Sequence, residues 1–423
     1  MPHRYRVLAL LFVLSMVTYL DRVCIAVAGP EIVRDLHLSA TQWGWVVGIF
    51  ALSYAMFEIP SGALGDRIGP RKVLTRIVLW WSAFTSLTGL VSGFYVLLAT
   101  RFAFGAGEAG AYPNSSASIS RWFPLAERGR AHGAVWMASR LGGALTPLLV
   151  VPIVAVFGWR TAFYLFGLLG VAWAVVWYWW YRDHPAEKAG VSPEELALIG
   201  AAPRQTHQSL PWREVLRHGS LWKIMFMYHT YCWGAYFYLS WMPTYLRVGR
   251  GFTADEMKIY AMLPFLAGAA GNLLGGWLSD VLVRRYGLRI GRRTVAATGL
   301  AASALCLFGT ATVADRHVAV ALLTLGYFSM DCMLPVSWSV CLDVGGRHAG
   351  AVTGAMNMAG QFGSFVSAIA FGSLVDAFGG RYDVPLVVFS GMLAVSAVLF
   401  TTIDPTKPLV PVQGGTGVEP VHA

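Results

Sequence analysis

Twelve times between Arg6 and Ile403 the chain runs for about twenty residues almost without charge, and a short polar or basic segment closes each run. A helix of that length is what crosses the ~30 Å hydrocarbon core of a bilayer. The expected spans are 7–28, 41–63, 74–93, 95–118, 131–156, 160–181, 221–246, 256–283, 294–314, 317–341, 350–373 and 384–403. Only 13% of the residues are charged and 56% are hydrophobic, where an ordinary soluble domain carries about 25% charged residues. The expected fold class is therefore an all-α membrane protein with twelve transmembrane helices, surrounded by lipid.

The first run is long enough to span and lacks a small-residue cleavage site with a soluble domain after it, so it reads as the first helix and not as a signal peptide. The five cysteines, Cys24, Cys232, Cys306, Cys332 and Cys341, all lie inside apolar runs. That position argues for small core residues and against a disulfide framework or a zinc site. A formal net charge of +10 suits a nucleic-acid partner, but it suits equally the cytoplasmic loops of a membrane protein. Location separates the two. With the N-terminus taken as inside, and residues within a turn of a span's end counted with the adjoining segment, 22 of the 32 lysines and arginines fall in inside segments, 7 in outside segments and 3 deep within spans. This bias puts both termini in the cytoplasm of a multi-pass inner (plasma) membrane protein, with no nucleic-acid partner.

Six spans precede one long polar stretch, Arg182 to Gly219, which contains Pro185, Pro193, Pro203 and Pro211. Within it Ser192-Pro193-Glu194-Glu195 reads as a capped helix start. The expected domains are residues 1–184 as an N-terminal six-helix bundle, 185–219 as a cytoplasmic linker with a short amphipathic helix, 220–404 as a C-terminal six-helix bundle, and 405–423 as a disordered cytoplasmic tail. Trp173, Trp177, Tyr178, Trp179, Trp180 and Tyr181 crowd the inner end of the sixth span, where amphipathic rings favour the headgroup level.

The halves echo each other. Gly62-x-Leu64-x-Asp66-Arg67-x-Gly69-x-Arg71-Lys72 follows the second span, and Gly276-x-Leu278-x-Asp280 with Arg284, Arg285, Arg292 and Arg293 follows the eighth. Gly133-Ala134-x-x-Met137-Ala138-x-x-x-Gly142 in the fifth span matches Gly354-Ala355-x-x-Met358-Ala359-x-x-x-Gly363 in the eleventh. Two sequence-related bundles that both start inside imply a pseudo-two-fold axis along the membrane normal with a site between them.

With its twelve spans and the Gly62 to Lys72 loop, the chain resembles the major facilitator superfamily. Tyr19-x-Asp21-Arg22, then Glu108-x-x-x-Tyr112-Pro113 running into Ser120-Arg121-Trp122-Phe123-Pro124-x-x-Glu127-Arg128, are similar to the anion:cation symporter family within it. Trp241-Met242-Pro243-x-Tyr245-Leu246 and Asn357-x-Ala359-Gly360 fit the same pattern. That family includes bacterial galactonate, glucarate and hexuronate carriers and animal vesicular glutamate and sialic-acid carriers. The resemblance covers about residues 5 to 403 and implies the major facilitator fold of two pseudo-symmetric six-helix bundles.

Six ionisable side chains lie well inside spans: Asp21, Arg22, Arg101, Glu108, Arg140 and Asp331. Each costs ~2.5–3.5 kcal/mol at a helix centre on insertion scales. They are either salt bridges that hold the bundle or a site. Arg101, Gly105, Glu108, Tyr112 and Ser115 recur at helical spacing and form one polar stripe, which favours a cavity-facing surface. With all six ionised the site is neutral. Protons on Asp21 and Glu108 leave it at +2, so a carboxylate finds excess positive charge only when protons have loaded, and symport follows from that bias. The resemblance implies the same roles: Asp21 and Glu108 carry protons, and Arg22 meets the substrate carboxylate. Arg101, Tyr112, Asn114, Tyr236, Trp338, Asn357 and Gln361 are the further candidate substrate-binding groups. Arg140 either reads a second acidic group or partners Glu108, because family sugar-acid carriers often have a neutral polar residue there. Asp331 is a third titrating group or an arginine partner. His229 is more readily a helix contact than a ligand.

In the loops, Asp66, Arg67, Arg71 and Arg128 are either positive-inside anchors or, as the resemblance implies, a gate that clamps the inner bundle ends, with Glu58 near that network. The expectation is a monomeric secondary active transporter that moves a small organic anion, a sugar acid or other carboxylate, with protons by alternating access. The alternative is an organic-anion exchanger or uniporter without proton coupling. An organophosphate-type exchange mechanism wants facing arginines from both halves, and all three membrane arginines lie in the first half. Buried arginines also disfavour cation efflux. No H-E-x-x-H, C-x-x-C or paired histidine set is present, so no metal, cofactor or enzymatic activity is expected.

Overall fold

Proline, glycine and short capping side chains set where the helices of this chain begin and end. The computed structural model describes residues 2–200, 218–345 and 349–409. The first half holds α1 (His3–Val27), α2 (Gly29–Asp35), α3 (Ala40–Ile68), α4 (Pro70–Thr88), α5 (Phe94–Glu108), α6 (Ala111–Trp122), α7 (Leu125–Phe157) and α8 (Trp159–Trp180). After the linker helix α9 (Pro193–Ile199), the second half holds α10 (Gly219–Ser240), α11 (Ala254–Tyr260), α12 (Leu263–Tyr286), α13 (Leu288–Thr312), α14 (Arg316–Gly345), α15 (Ala349–Ala377) and α16 (Asp383–Thr402).

Local chemistry explains these limits. Ser39 and Gln42 form a reciprocal capping box at the start of α3. Gly69, at φ +87°, and Pro70, first residue of α4, reverse the chain in a single residue. Ser192 caps α9 by accepting from the Glu195 N–H. Its helix then docks back on the N-terminus, where the Glu195 carboxylate accepts the backbone N–H groups of His3 and Arg4 at 3.0 and 2.9 Å.

The expected fourth span, 95–118, is not one helix. It breaks into α5 and α6, because Gly110 adopts φ +89° and Pro113 cannot continue the ladder of a preceding turn. A side chain at Gly110 would collide with Ser61 on α3, so the break is also where two helices meet closely. Eight helices among the described residues are long and apolar enough to cross a membrane by length and composition. The other four expected spans correspond to α3, α4, the broken α5 and α6, and α10. The break shortens one of them, and tyrosine, tryptophan, histidine and serine dilute α10.

The first and last described residues lie on one face. There Leu409 N–H donates to the Val344 carbonyl at 2.9 Å and Arg289 pairs with Asp404, so residues 404–409 of the expected tail pack on the second half. The rest of that tail, and linker residues 201–217, lie outside the described residues. On the far face the halves are zipped together. A Cβ at Gly44 would lie 2.6 Å from the Ala368 carbonyl oxygen and one at Gly48 would lie 3.0 Å from that of Phe365. Asp376 at the end of α15 accepts the Ala40 and Thr41 N–H groups at 3.2 and 2.7 Å, capping α3 from the opposite half.

Candidate functional site

Between the halves lies a cavity of about 1060 Å³. Its lining reaches Ile119, His132, Leu342 and Thr353, within a turn or two of the terminal-face ends of α6, α7, α14 and α15. Its walls carry Arg22, Arg101 and Arg140 from the first half, with Glu58 as the one carboxylate among the lining residues. Tyr112, Tyr236, Trp338, Asn357 and Gln361 also line it.

Asn114 stands apart from the cavity. Its amide donates to the Gly110 and Ser61 carbonyls at 2.8 and 3.3 Å, and its side chain fills the space left by Gly65. The structure therefore gives it a packing role at the break between α5 and α6. Asp21 and Glu108 are likewise absent from the lining, being 2% and 0% exposed. They form a second layer of charge behind the arginines.

Glu108 ends α5 and accepts from Arg22 Nε at 2.5 Å. The Arg22 guanidinium lies 4.8 Å from the Tyr54 ring centre and 5.1 Å from that of Phe50, so an aromatic collar holds it where the carboxylate does not. Arg101 makes no ion pair among the described residues. It rests 4.4 Å from the Phe104 ring centre within electrostatic reach of Asp21 and Glu108. Both Asp21 oxygens are buried without a well-formed hydrogen bond among the described residues.

Arg140 does not partner Glu108. Nη2 donates to Asp331 Oδ1 at 3.0 Å, Nη1 to Tyr327 Oη at 2.9 Å, and Nε lies 3.0 Å from Asp331 Oδ2. Asp331 is thus an arginine partner, and the pair joins α7 of one half to α14 of the other. Trp136, one turn before Arg140, stacks on Tyr112 with ring centres 4.7 Å apart and meets Trp338 at 5.8 Å. Tyr236 Oη donates to the Val47 carbonyl at 2.6 Å, again across the halves. Asn357 Nδ2 donates to both Glu58 oxygens at 3.0 and 2.8 Å, so in this conformation its amide is committed to α3. His229 Nδ1 lies 3.2 Å from the Ala359 carbonyl, which ties α10 to α15 away from the lining.

Of the loop candidates, Arg71 donates to the Tyr178 carbonyl at 2.9 and 2.7 Å. Arg128 donates to the Phe123 and Ser120 carbonyls at the end of α6. Arg67 is exposed. These contacts stay within the first half. The Asp66 side chain lies outside the described residues. Sequence reasoning missed Asp183, which accepts the Arg71 backbone N–H at 2.9 Å at the start of α4, and the cross-half cap by Asp376. It also passed over Trp136 and Tyr327. Each sits four residues before a charged residue already singled out, and that spacing was the available signal.

The Major Facilitator Superfamily profile matches residues 11–368 and 261–421. A protein of Cupriavidus necator named as a probable sulfoacetate transporter is 36% identical over 95% of this chain and 94% of its own length. The probable L-galactonate transporter of Escherichia coli K12 is 30% identical over 92% of this chain and 87% of its own. Among solved structures, an inward-facing, unoccupied bacterial homolog to the human lysosomal transporter Spinster superposes with TM-score 0.77 at 20% identity, covering 95% of this chain and 97% of the other. That likeness concerns the fold.

Proposed function

The chain belongs to the major facilitator superfamily, and from that premise we propose that it imports a small organic anion together with protons across a bacterial-type plasma membrane by alternating access. One observation carries the reading: the cavity wall presents three guanidinium groups to one carboxylate, while Asp21, Glu108 and Asp331 stand behind it. Such a wall attracts an anion and repels a cation. The cargo names of the relatives, sulfoacetate and L-galactonate, are those of small acids, which agrees with it.

Protons enter through the second layer. A proton on Glu108 removes the charge that holds Arg22 and frees that fork for the substrate carboxylate. Asp21 is buried with neither oxygen in a well-formed hydrogen bond among the described residues and the Trp81 indole as the donor beside it, a costly setting for an anion, and lies near Arg101 and Glu108. Loading both acids turns the cavity net positive before the substrate arrives, so release of one ligand weakens the hold on the other. The excess of lysine and arginine on the terminal face supports its cytoplasmic placement, and the far-face zip then corresponds to a closed periplasmic side. Arg67, Arg71, Arg128 and Asp66 gate the cytoplasmic ends when the bundles rock the other way.

Uptake of radiolabelled sulfoacetate and galactonate into proteoliposomes tests the reading. An inward proton gradient should drive accumulation and a protonophore should abolish it. Asp21→Asn and Glu108→Gln should stop accumulation yet spare substrate-for-substrate counterflow. Accumulation that ignores the protonophore would leave a uniporter or exchanger instead.

A further inference from the structure

Arg140 is the one cavity arginine whose ion-pair partner, among the described residues, belongs to the other half. Its partner is fixed. Asp331 is fully buried, and α12 makes room for it with Gly268, where a Cβ would stand 2.7 Å from Asp331 Oδ2 and 2.6 Å from the Tyr327 ring. The arginine is the member that faces the cavity, and its fork keeps an Nη1 and an Nη2 hydrogen uncommitted.

We propose that Arg140 and Asp331 form a clasp opened by a second acidic group on the substrate: one oxyanion of a dianion binds the Arg22 side of the cavity, and the other takes the Arg140 fork from Asp331. This rests on the reading of the cavity as an organic-anion site. A monoanion is satisfied at Arg22 and Arg101 and leaves the clasp shut, since the neutral Arg140–Asp331 pair offers it little further attraction. A dianion exchanges one carboxylate for another on the same fork, which keeps Arg140 paired while the joint between α7 and α14 comes undone, and the displaced Asp331 carboxylate takes up a proton in place of its lost partner. Arg140 is then the residue that selects dianions, and Asp331 is the competitor that sets how tightly they are held and how readily released.

The experiment is binding to the purified full-length protein, with the dianions sulfoacetate and succinate against the monoanions acetate and butyrate. Arg140→Gln should lower the ratio of dianion to monoanion affinity about tenfold or more, the effect of losing a charged contact. Arg140→Lys, which keeps the charge and loses the planar fork, should lower it less. Asp331→Asn should raise the ratio by tightening dianions, with transport turnover falling as release slows. Anion binding with an unmoved ratio in all three variants would reduce the pair to a brace and remove the clasp alone. Binding of none of these acids by the unaltered protein would remove the anion-carrier reading, and the clasp with it.

Discussion

Two buried arginine–carboxylate pairs meet the same cavity, and they are built to different ends. Arg22–Glu108 joins α1 to α5 inside one half, with the arginine 12% exposed and ringed by Tyr19, Phe50 and Tyr54. Arg140–Asp331 joins the two halves, with the arginine 7% and the aspartate 0% exposed. On the proposed rocking of the halves, the first pair would travel intact and part only for a proton or a substrate. The second would be strained by the motion itself. A pair within a bundle can thus set affinity, while a pair between bundles can link occupancy to movement.

The largest effect separates them by stability. Removing one partner of a buried pair strands a charge and costs ~3–5 kcal/mol, and Asp331→Ala leaves Arg140 the hydroxyl and ring of Tyr327. Glu108→Ala should cost clearly less, because Arg22 keeps the collar of Tyr19, Phe50 and Tyr54. Unfolding midpoints of the two variants in one detergent would show it. Equal losses would mean that the two pairs differ only in address.

Next comes affinity. Arg22→Ala should weaken binding of every acidic substrate by ~1.5–3 kcal/mol, the worth of a charged hydrogen-bonded contact, which is roughly 10- to 150-fold. Arg22→Lys should restore part of it. In a direct binding titration the loss should fall alike on mono- and dianions, in contrast to substitutions at Arg140. A loss confined to dianions would reverse the roles of the two pairs.

Much of this was open to reading from residue order alone, and the limits are physical. Hydropathy marked the apolar runs that become the long helices, eight of which among the described residues can cross a membrane by length and composition, because burial in lipid leaves a one-dimensional trace. Helical periodicity also put Arg101, Gly105, Glu108, Tyr112 and Ser115 on one face, of which Arg101, Tyr112 and Ser115 line the cavity while Gly105 packs on Ser53 and Phe50 and Glu108 lies buried behind Arg22. It could not say which charge meets which, since Arg140 and Asp331 are 191 residues apart and a face does not name its partner. Asn114 shows the converse. It is off the 101–105–108–112–115 series, about 100° around the helix from Ser115, and the structure turns it to Ser61 and Gly110. Asp21 sits beside Arg22, yet adjacent helical residues point apart, so one lines the cavity and the other lies behind it.

A third cross-half contact carries a smaller effect and grades the comparison. Glu58 on α3 and Asn357 on α15 form two hydrogen bonds without a countercharge. Asn357→Ala leaves a half-buried carboxylate short of donors, at ~1 kcal/mol, and should loosen the α3–α15 seam on the terminal side of the far-face zip. Hydrogen exchange should rise along α3 near Glu58 while Asp376 continues to cap Ala40 and Thr41. Faster exchange at both ends would instead make the seam a single cooperative unit.

The smallest effect belongs to an ion pair that no cavity shelters. Arg289 and Asp404 meet at the terminal face, with Arg289 51% exposed. The Thr406 hydroxyl and backbone N–H, with Arg289, pull the Asp404 pKa down to about 2. A carboxylate depressed in the folded state stabilises it above the unfolded value near 3.8, and that contribution fades as pH falls towards the folded value. The unfolding midpoint of Asp404→Asn should therefore differ from the unaltered protein by a small, constant amount from pH 8 to about 5, and the gap should close below about pH 4. High salt should shrink it further, because exposed pairs are screened. The same salt series should leave the loss caused by Asp331→Ala unchanged, since solvent ions do not reach a carboxylate that is 0% exposed. A salt-sensitive Asp331 would mean that water and ions enter the clasp, and the two classes of pair would then differ only in degree.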